Sequence, residues 1–332
     1  MKDEDPVPTK VIIDCDPGND VPATDVDDAL ALGLAIASPD LQLEAITIVA
    51  GNTARETGYA SARTLLDATG SDIPLYTGAA TALLEPPEPW DARRHAPLAI
   101  PGVRELWADI PAPETHDPGT QHLAAAEIAR RIAEAPGEVT LVAIGPLTNV
   151  AHALHLHPGL VGDVARIVIM GGAFDVPGHL QELNFGVDPE AAHYVLASGA
   201  PITLVPLDVT ATTSLQLLDL DRLAGTPLAD YLSRTTRPWI QYCEKVRGRI
   251  GCRLHDPLAV ALLLDDTIAT TEDWVVEVEL DGLTRSRPIR WKRDELLLHN
   301  GLDVPDRAPI QVLTGVDNQR LVDLLVDTIA QH

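Results

Sequence analysis

Val11-Ile12-Ile13-Asp14-Cys15-Asp16-Pro17-Gly18, followed by Asp27-Asp28-Ala29-Leu30-Ala31-Leu32-Gly33-Leu34, joins an apolar strand to an apolar helix through four aspartates. A strand that ends in carboxylates at a chain turn presents negative charge at a sheet edge, where α/β proteins bind ligands. Side chains alternate along a strand, so Asp14 and Asp16 share a face and Cys15 turns the other way as a packing residue. Acids in the first turn of a helix are favourable by ~0.3–1 kcal/mol each, which suffices for Asp27 and Asp28. It does not explain why Asp14 and Asp16 arrive at the same junction. Four carboxylates there would repel one another, and a hard divalent cation with oxygen ligands would relieve the repulsion.

Outward from this junction, apolar runs alternate with helix-like segments from residue 10 to about 265. The predicted strands are Val11–Asp14, Leu43–Ala50, Ile73–Tyr76, Val139–Ile144, Ile167–Met170 and Ile202–Pro206. Near-continuous apolar strands of this kind suit a parallel sheet covered on both faces. The fold class expected is α/β: an open, mostly parallel, doubly wound (Rossmann-like) sheet with helices on both faces and a helical C-terminal part. Thr53-Ala54-Arg55-Glu56 reads as a capping box opening a helix to about Ala68. Asp188-Pro189-Glu190 reads as an N-cap, an N1 proline and an early acid. Later helices are expected over Leu217–Leu223, Leu228–Val246 and Asn318–Ala330. Trp274–Leu280 and Pro288–Trp291 suggest a smaller sheet. We expect one domain over residues 10–332, a flexible N-terminal extension over 1–9, and a proline-rich surface excursion over 84–119 with a short helix near Val103–Ala108.

The net charge of −25 gives a surface that repels phosphate backbones and anionic lipid, so neither nucleic acid nor membrane is expected as a partner. Three cysteines, Cys15, Cys243 and Cys252, are too few and odd in number for a disulfide framework. The charged N-terminus has no apolar signal-like core, and no stretch is apolar enough to span a bilayer. A soluble cytoplasmic protein is the expectation.

Further motifs carry a resemblance. Gly51-Asn52 ends the second strand. Gly145-Pro146-Leu147-Thr148-Asn149 and Met170-Gly171-Gly172 each follow a strand. Glu182-Leu183-Asn184, Asp188-Pro189-Glu190-Ala191-Ala192 and His255-Asp256-Pro257-Leu258-Ala259 complete the set. Together with the aspartate junction, and in this order over roughly residues 10–265, they resemble the inosine–uridine-preferring nucleoside hydrolase family. The resemblance implies an eight-stranded-type open α/β fold and one Ca²⁺ held by Asp16, Asp28, Asp256 and the carbonyl of Ile144. It implies Ca-dependent hydrolysis of a ribonucleoside's N-glycosidic bond to free base and ribose, in support of salvage. Asp16 would activate water against an oxocarbenium-like transition state, and His255 would protonate the departing base. Asp27, Asn52, Glu182 and Asn184 would hold the sugar, with Asp14 grouped beside them in a supporting role. It also implies a homodimer or homotetramer.

Some positions stay open. His255 equally suits a plain helix entrance, with Asp256 as N-cap and Pro257 at N1. Tyr242, Trp239 and Arg247 share a helix-like segment facing the base side; Tyr242 is the one assigned to the substrate, although a half-buried helix tyrosine reads the same. His152, His155 and His157 read as a solvated helix end. His95 and His116 are further candidates to reach the pocket. The family has one residue between Pro-Gly and Asp-Asp, whereas here Asn19–Val26 intervenes. That insertion either loops outward or narrows the pocket and contributes Asn19, Asp20 or Asp25. His179 stands where the family commonly has asparagine for the 5′-hydroxyl. Two other readings compete: a haloacid-dehalogenase-type phosphohydrolase, which also begins strand-Asp-x-Asp, and a nucleoside- or sugar-binding homologue without turnover.

Overall fold

Val11, Ile12 and Ile13 are wholly buried in strand β1 (Thr9–Cys15). Val11, Ile13 and Cys15 enter the core on one face of the sheet and Ile12 enters the core on the other, as strand alternation requires. The computed structural model describes residues 7–115, 123–293 and 304–332. The remaining strands are β2 (Leu41–Ile48), β3 (Leu75–Thr77), β4 (Val139–Ala143), β5 (Arg166–Met170), β6 (Ile202–Val205), β7 (Ala269–Val278), β8 (Pro288–Trp291) and β9 (Ile310–Val316). Among the described residues they form one nine-stranded sheet in the order β3-β2-β1-β4-β5-β6-β9-β7-β8. Strands β1 to β6 and β9 pair in parallel, while β7 runs antiparallel to both β9 and β8. This is the doubly wound α/β architecture expected.

Two expectations are corrected. Trp274–Leu280 and Pro288–Trp291 do not build a separate sheet, because β9, absent from the predicted strands, pairs with β6 on one side and β7 on the other. The sheet therefore has nine strands rather than eight. Thr53 does not cap its helix: the helix runs Arg55–Thr69 with Ala54 at the N-cap, and the Thr53 hydroxyl instead donates to the Pro17 carbonyl at 3.2 Å. That bond ties the end of β2 to the Asp-Pro-Gly turn. Asp188 does cap as expected, accepting from the Ala191 N–H at 3.0 Å.

The segment expected to be an N-terminal extension ends earlier than residue 9, since Thr9 opens β1 and donates its N–H to the Asp40 carbonyl. The proline-rich excursion carries a helix over Glu88–His95 as well as a 3₁₀ turn at Arg104–Trp107. Val103 and Trp107 are buried in the core, so this excursion is packed down rather than merely draped. Among the described residues no helix is long and apolar enough to cross a membrane.

Helix Asp27–Ala37 is buried from Asp27 through Ala35, which is why its sequence is apolar all round. The insertion before it turns inward. Two successive turns, Val21 N–H to Gly18 O and Thr24 N–H to Val21 O, compact it, and Ala23 takes a left-handed φ of 63°. Asn19 and Asp20 are buried and anchored on Tyr231, whose hydroxyl donates to Asp20 Oδ2 at 2.8 Å and accepts from the Asn19 amide. Tyr231→Phe strips a buried carboxylate of a partner, and we expect it to cost about 1–3 kcal/mol in chemical unfolding. A parental urea midpoint would refute that anchor.

Candidate active site

Strand order reverses at β1, whose neighbours β2 and β4 lead away in opposite directions. Loops leaving the C-terminal ends of these strands diverge and open a crevice there. Asp16 follows the end of β1, Gly51-Asn52 the end of β2 and Ile144 the end of β4, and Asp27 and Asp28 open the helix that follows β1. Asp256 arrives from helix His255–Ala261, packed against helix Asp27–Ala37.

The carboxylates interlock. The Asp16 N–H donates to Asp28 Oδ1 at 3.0 Å, and the Asp256 N–H donates to Asp27 Oδ2 at 3.2 Å. Asn52 donates from its backbone to Asp16 Oδ2 at 2.5 Å, and its side-chain amide lies 3.4 Å from both Asp16 Oδ1 and Asp28 Oδ2. Oxygens of Asp27, Asp28 and Asp256 lie within 4.8 Å of one another. Burial pushes the Asp16 carboxyl up to about 7. Burial, and then repulsion from one another and from Asp16 and Asp25, holds Asp27, Asp28 and Asp256 well above the carboxylate range. Among the described residues no arginine or lysine forms an ion pair with any of the four.

Such a set is unstable as anions without a counter-charge. Its donors are all oxygens and all buried, which fits a hard cation such as Ca²⁺ or Mg²⁺ and not a soft one. The trio drawn closest is Asp27, Asp28 and Asp256, with Asp16 joined through Asp28. Gly51 permits this packing: a β-carbon there would meet Asp16 Oδ2 at 1.8 Å and Pro146 at 2.6 Å. Gly51→Ala must displace a buried carboxylate and a proline ring, so we expect about 1–3 kcal/mol lost in thermal or urea unfolding, with turnover falling as well. An unchanged enzyme would contradict the tight approach.

Asp27, Asn52, Ile144, His179, Glu182, Asn184, His255 and Asp256 line a cavity of about 240 Å³ above this cluster. Asn184 spends its amide hydrogens on the carbonyls of Ile144 (2.9 Å) and Met170 (3.1 Å), which leaves Oδ1 as an acceptor. Glu182 caps helix Leu183–Val187 and accepts from the N–H groups of Gly172, Asn184 and Phe185, so much of its capacity is already used. His179 is exposed on the rim.

Tyr242 and His255 depart from expectation, and Asp14 keeps a supporting place only. Asp14 is fully buried behind the pocket, accepting from Thr47 at 2.5 Å and Asn149 at 2.8 Å, with its carboxyl raised by burial to about 7. It supports the wall and does not face the cavity. Tyr242 also lies behind the wall, stacked on Trp239 at 5.3 Å, and it is Trp239 that lines the cavity. His255 lines the cavity, and its Nδ1 sits 2.7 Å from the Thr210 hydroxyl. Burial, opposed by Asp25 and reinforced by Arg249, Arg253 and Arg247, lowers its pKa to about 4. At neutral pH it is an uncharged imidazole rather than a group titrating near neutrality.

The inward insertion brings Ala23, Thr24 and Asp25 to the wall. Trp90, Arg93 and Arg94, from the helix in the proline-rich excursion, form another wall that sequence reading did not foresee, as did Gln181 and Arg249. A tryptophan and two arginines in a segment flanked by prolines was the available signal. His95 is exposed and does not line the cavity, His116 lies outside the described residues, and His152, His155 and His157 are exposed as expected.

The family model described as inosine-uridine preferring nucleoside hydrolase matches residues 11–323. Pyrimidine-specific ribonucleoside hydrolase RihA of Salmonella arizonae is 34% identical over 326 residues, covering 96% of this chain and 97% of the relative. Among solved structures, the plant nucleoside hydrolase PpNRh1 superposes with a TM-score of 0.82 at 30% identity, covering 98% of this chain and 100% of the other. The purine-preferring ribonucleoside hydrolase from Gardnerella vaginalis gives 0.77 at 28% identity, covering 97% and 98%. With a doubly wound sheet, a carboxylate cluster at its switch point and full-length likeness, the chain belongs to the inosine–uridine preferring nucleoside hydrolase family and is an N-glycosyl hydrolase acting on nucleosides.

Proposed function

We propose that this enzyme hydrolyses ribonucleosides to free base and ribose with Ca²⁺ as its resident cation. The observation that carries this reading is the buried cluster of Asp16, Asp27, Asp28 and Asp256 beneath the cavity, with no ion-pair partner among the described residues. Asp16, Asp28, Asp256 and the Ile144 carbonyl would hold the cation. When bound, Ca²⁺ supplies a fixed positive charge that orients the 2′- and 3′-hydroxyls and the attacking water.

The chain's own groups do the rest. Asp16 takes the proton of the attacking water. Asp27 accepts from one ribose hydroxyl, and Asn184 Oδ1 is free to accept from another. Asn52 fixes the Asp16 and Asp28 carboxylates and closes the sugar site beside them. As the C–N bond breaks, positive charge grows on the sugar, and the surrounding carboxylates lower its energy. Neutral His255 offers an N–H to the departing base while Thr210 holds its other nitrogen, with Trp239 as the apolar wall beneath that base.

The phosphohydrolase and binding-protein readings are not favoured by full-length likeness to nucleoside hydrolases. The buried free cysteines support a reducing, cytoplasmic location. We also read residues 10–332 as one domain, since one sheet takes strands from both ends of that span, and expect a homodimer or homotetramer by family habit. The relatives named above differ in base, so the test is a panel of purine and pyrimidine ribo- and 2′-deoxyribonucleosides assayed for free base. Ribonucleosides should be cleaved and deoxyribonucleosides, which lack half of the diol, should lag about 100-fold or more. Phosphate release from phosphomonoesters with no base from any nucleoside would overturn the reading.

A further inference from the structure

The chain has 24 lysines and arginines against 49 acids, yet four arginines, Arg93, Arg94, Arg247 and Arg249, line the cavity above the aspartates. Arg94 has structural work: its Nε donates to the Gly51 carbonyl at 2.9 Å, and it pairs with Asp91. Its charge also steadies Asp16. The other three have no ion pair and no side-chain hydrogen bond among the described residues.

Two of the three lie over aromatic rings. The Arg93 guanidinium lies 5.3 Å from the Trp90 ring centre. The Arg247 guanidinium lies 4.7 Å from Trp239 and 5.3 Å from Tyr242. Stacking occupies the face of a guanidinium and leaves its edge donors free, in the fork geometry that matches carboxylate and phosphate. Burial disfavours the charge on Arg93 most, Glu182 favours it, and Arg247 lies near enough to oppose it. Like charges brought together over this cavity, with no ion pair among the described residues, await an anion. Compensation of the aspartate cluster does not explain them, since none pairs with it. Glu182, the acid nearest Arg93 in effect, is already bound by three backbone N–H groups.

We propose that the preferred substrate is a nucleoside bearing an anionic group, a carboxylate on the base or a phosphate on the ribose, gripped by Arg93, Arg247 and Arg249. This rests on the hydrolase reading, and it adds a substrate class to it. The anion meets edge-on guanidinium donors, while the aspartates below hold the sugar diol. Charge-assisted contacts of this kind increase affinity about 10- to 100-fold.

The test uses the full chain with Ca²⁺ and follows base release from uridine, inosine, their 5′-monophosphates and 6-carboxyuridine. The expected result is a kcat/KM for one anionic substrate at least about tenfold above its neutral parent, carried mainly by KM. Raised salt should shrink that ratio, and the double variant R93Q/R247Q should bring it towards one. Both side chains are exposed, so the variant keeps its fold. Gain with 6-carboxyuridine identifies a base carboxylate, and gain with a 5′-monophosphate identifies a sugar phosphate. Hydrolysis of the neutral nucleosides with no anionic gain, or a ratio that the variant leaves unmoved, overturns the inference and leaves the hydrolase reading intact. Base release from none of the five sinks both.

Discussion

Asp16→Asn is expected to lower kcat by about 10³-fold or more while the far-ultraviolet circular dichroism stays native. The substitution removes the group that takes the proton of water, and it removes one oxygen anion from the cation site. Shape is conserved, and the Asn52 N–H that reaches Asp16 Oδ2 at 2.5 Å keeps an oxygen acceptor if the new amide turns its carbonyl that way. Stability should move in the opposite sense from activity. Burial holds the Asp16 carboxyl up to about 7, so its ionised form is a burden on the metal-free fold at pH 8. The cation-free variant should therefore melt no lower than its parent at that pH. Near-parental turnover would remove Asp16 from the chemistry, and a collapsed melt would make its role structural.

Calcium should stabilise the protein, and by more as pH rises. Asp14 and Asp16 titrate near 7 in the fold, and Asp27, Asp28 and Asp256 stand well above their ordinary range. A carboxyl whose folded pKa exceeds its unfolded value of about 3.9 makes the folded state bind more protons. Its stabilisation is complete below the unfolded value and is lost as pH rises through the folded one. His255 acts oppositely, since its folded pKa of about 4 lies below its unfolded one, but its contribution is finished once pH passes about 6.5. Between pH 6.5 and 8.5 the buried acids govern. Chelated protein should melt progressively lower across that window. Saturating Ca²⁺ at about 100 times its Kd adds about 2.7 kcal/mol, worth about 5 °C for a chain of this size. Calorimetry with and without chelator, at three pH values, decides the matter. Coincident melts would mean that no cation binds these oxygens.

The elements that sequence reading caught are those whose environment is uniform. β4 is buried at every position, so its apolar run announces a covered parallel strand. The helix over Asn318–Ala330 emerges with the predicted limits because its amphipathic spacing is regular and Asp317 caps it. β9 escaped because its burial alternates unevenly and nothing local reveals that it will lie between β6 and β7. The aspartates were legible since they crowd a short interval. The arginine wall was not, because the helix over Glu88–His95 is brief and polar and gains its place only from packing. Trp239 and Tyr242 illustrate a finer limit. They lie three positions apart on one helix, both are buried, and only the fold decides which one fronts the cavity. His255 lines the cavity, but its protonation depends on burial and on three arginines that motif spacing does not weigh.

The placing of β9 has a consequence for synthesis. A ribosome delivers β1 to β6 first, and with them most of the loops that surround the aspartates. The far edge of β6 must then wait, unpaired, until residues 310–316 emerge, because β7 and β8 join the sheet's hydrogen bonding only through β9. A bare parallel edge is a template for stray pairing between neighbouring nascent chains. Slow decoding of the last third of the message would prolong that exposure, and the yield of active enzyme would then depend on translation speed and chaperone supply as well as on the stability of the finished fold.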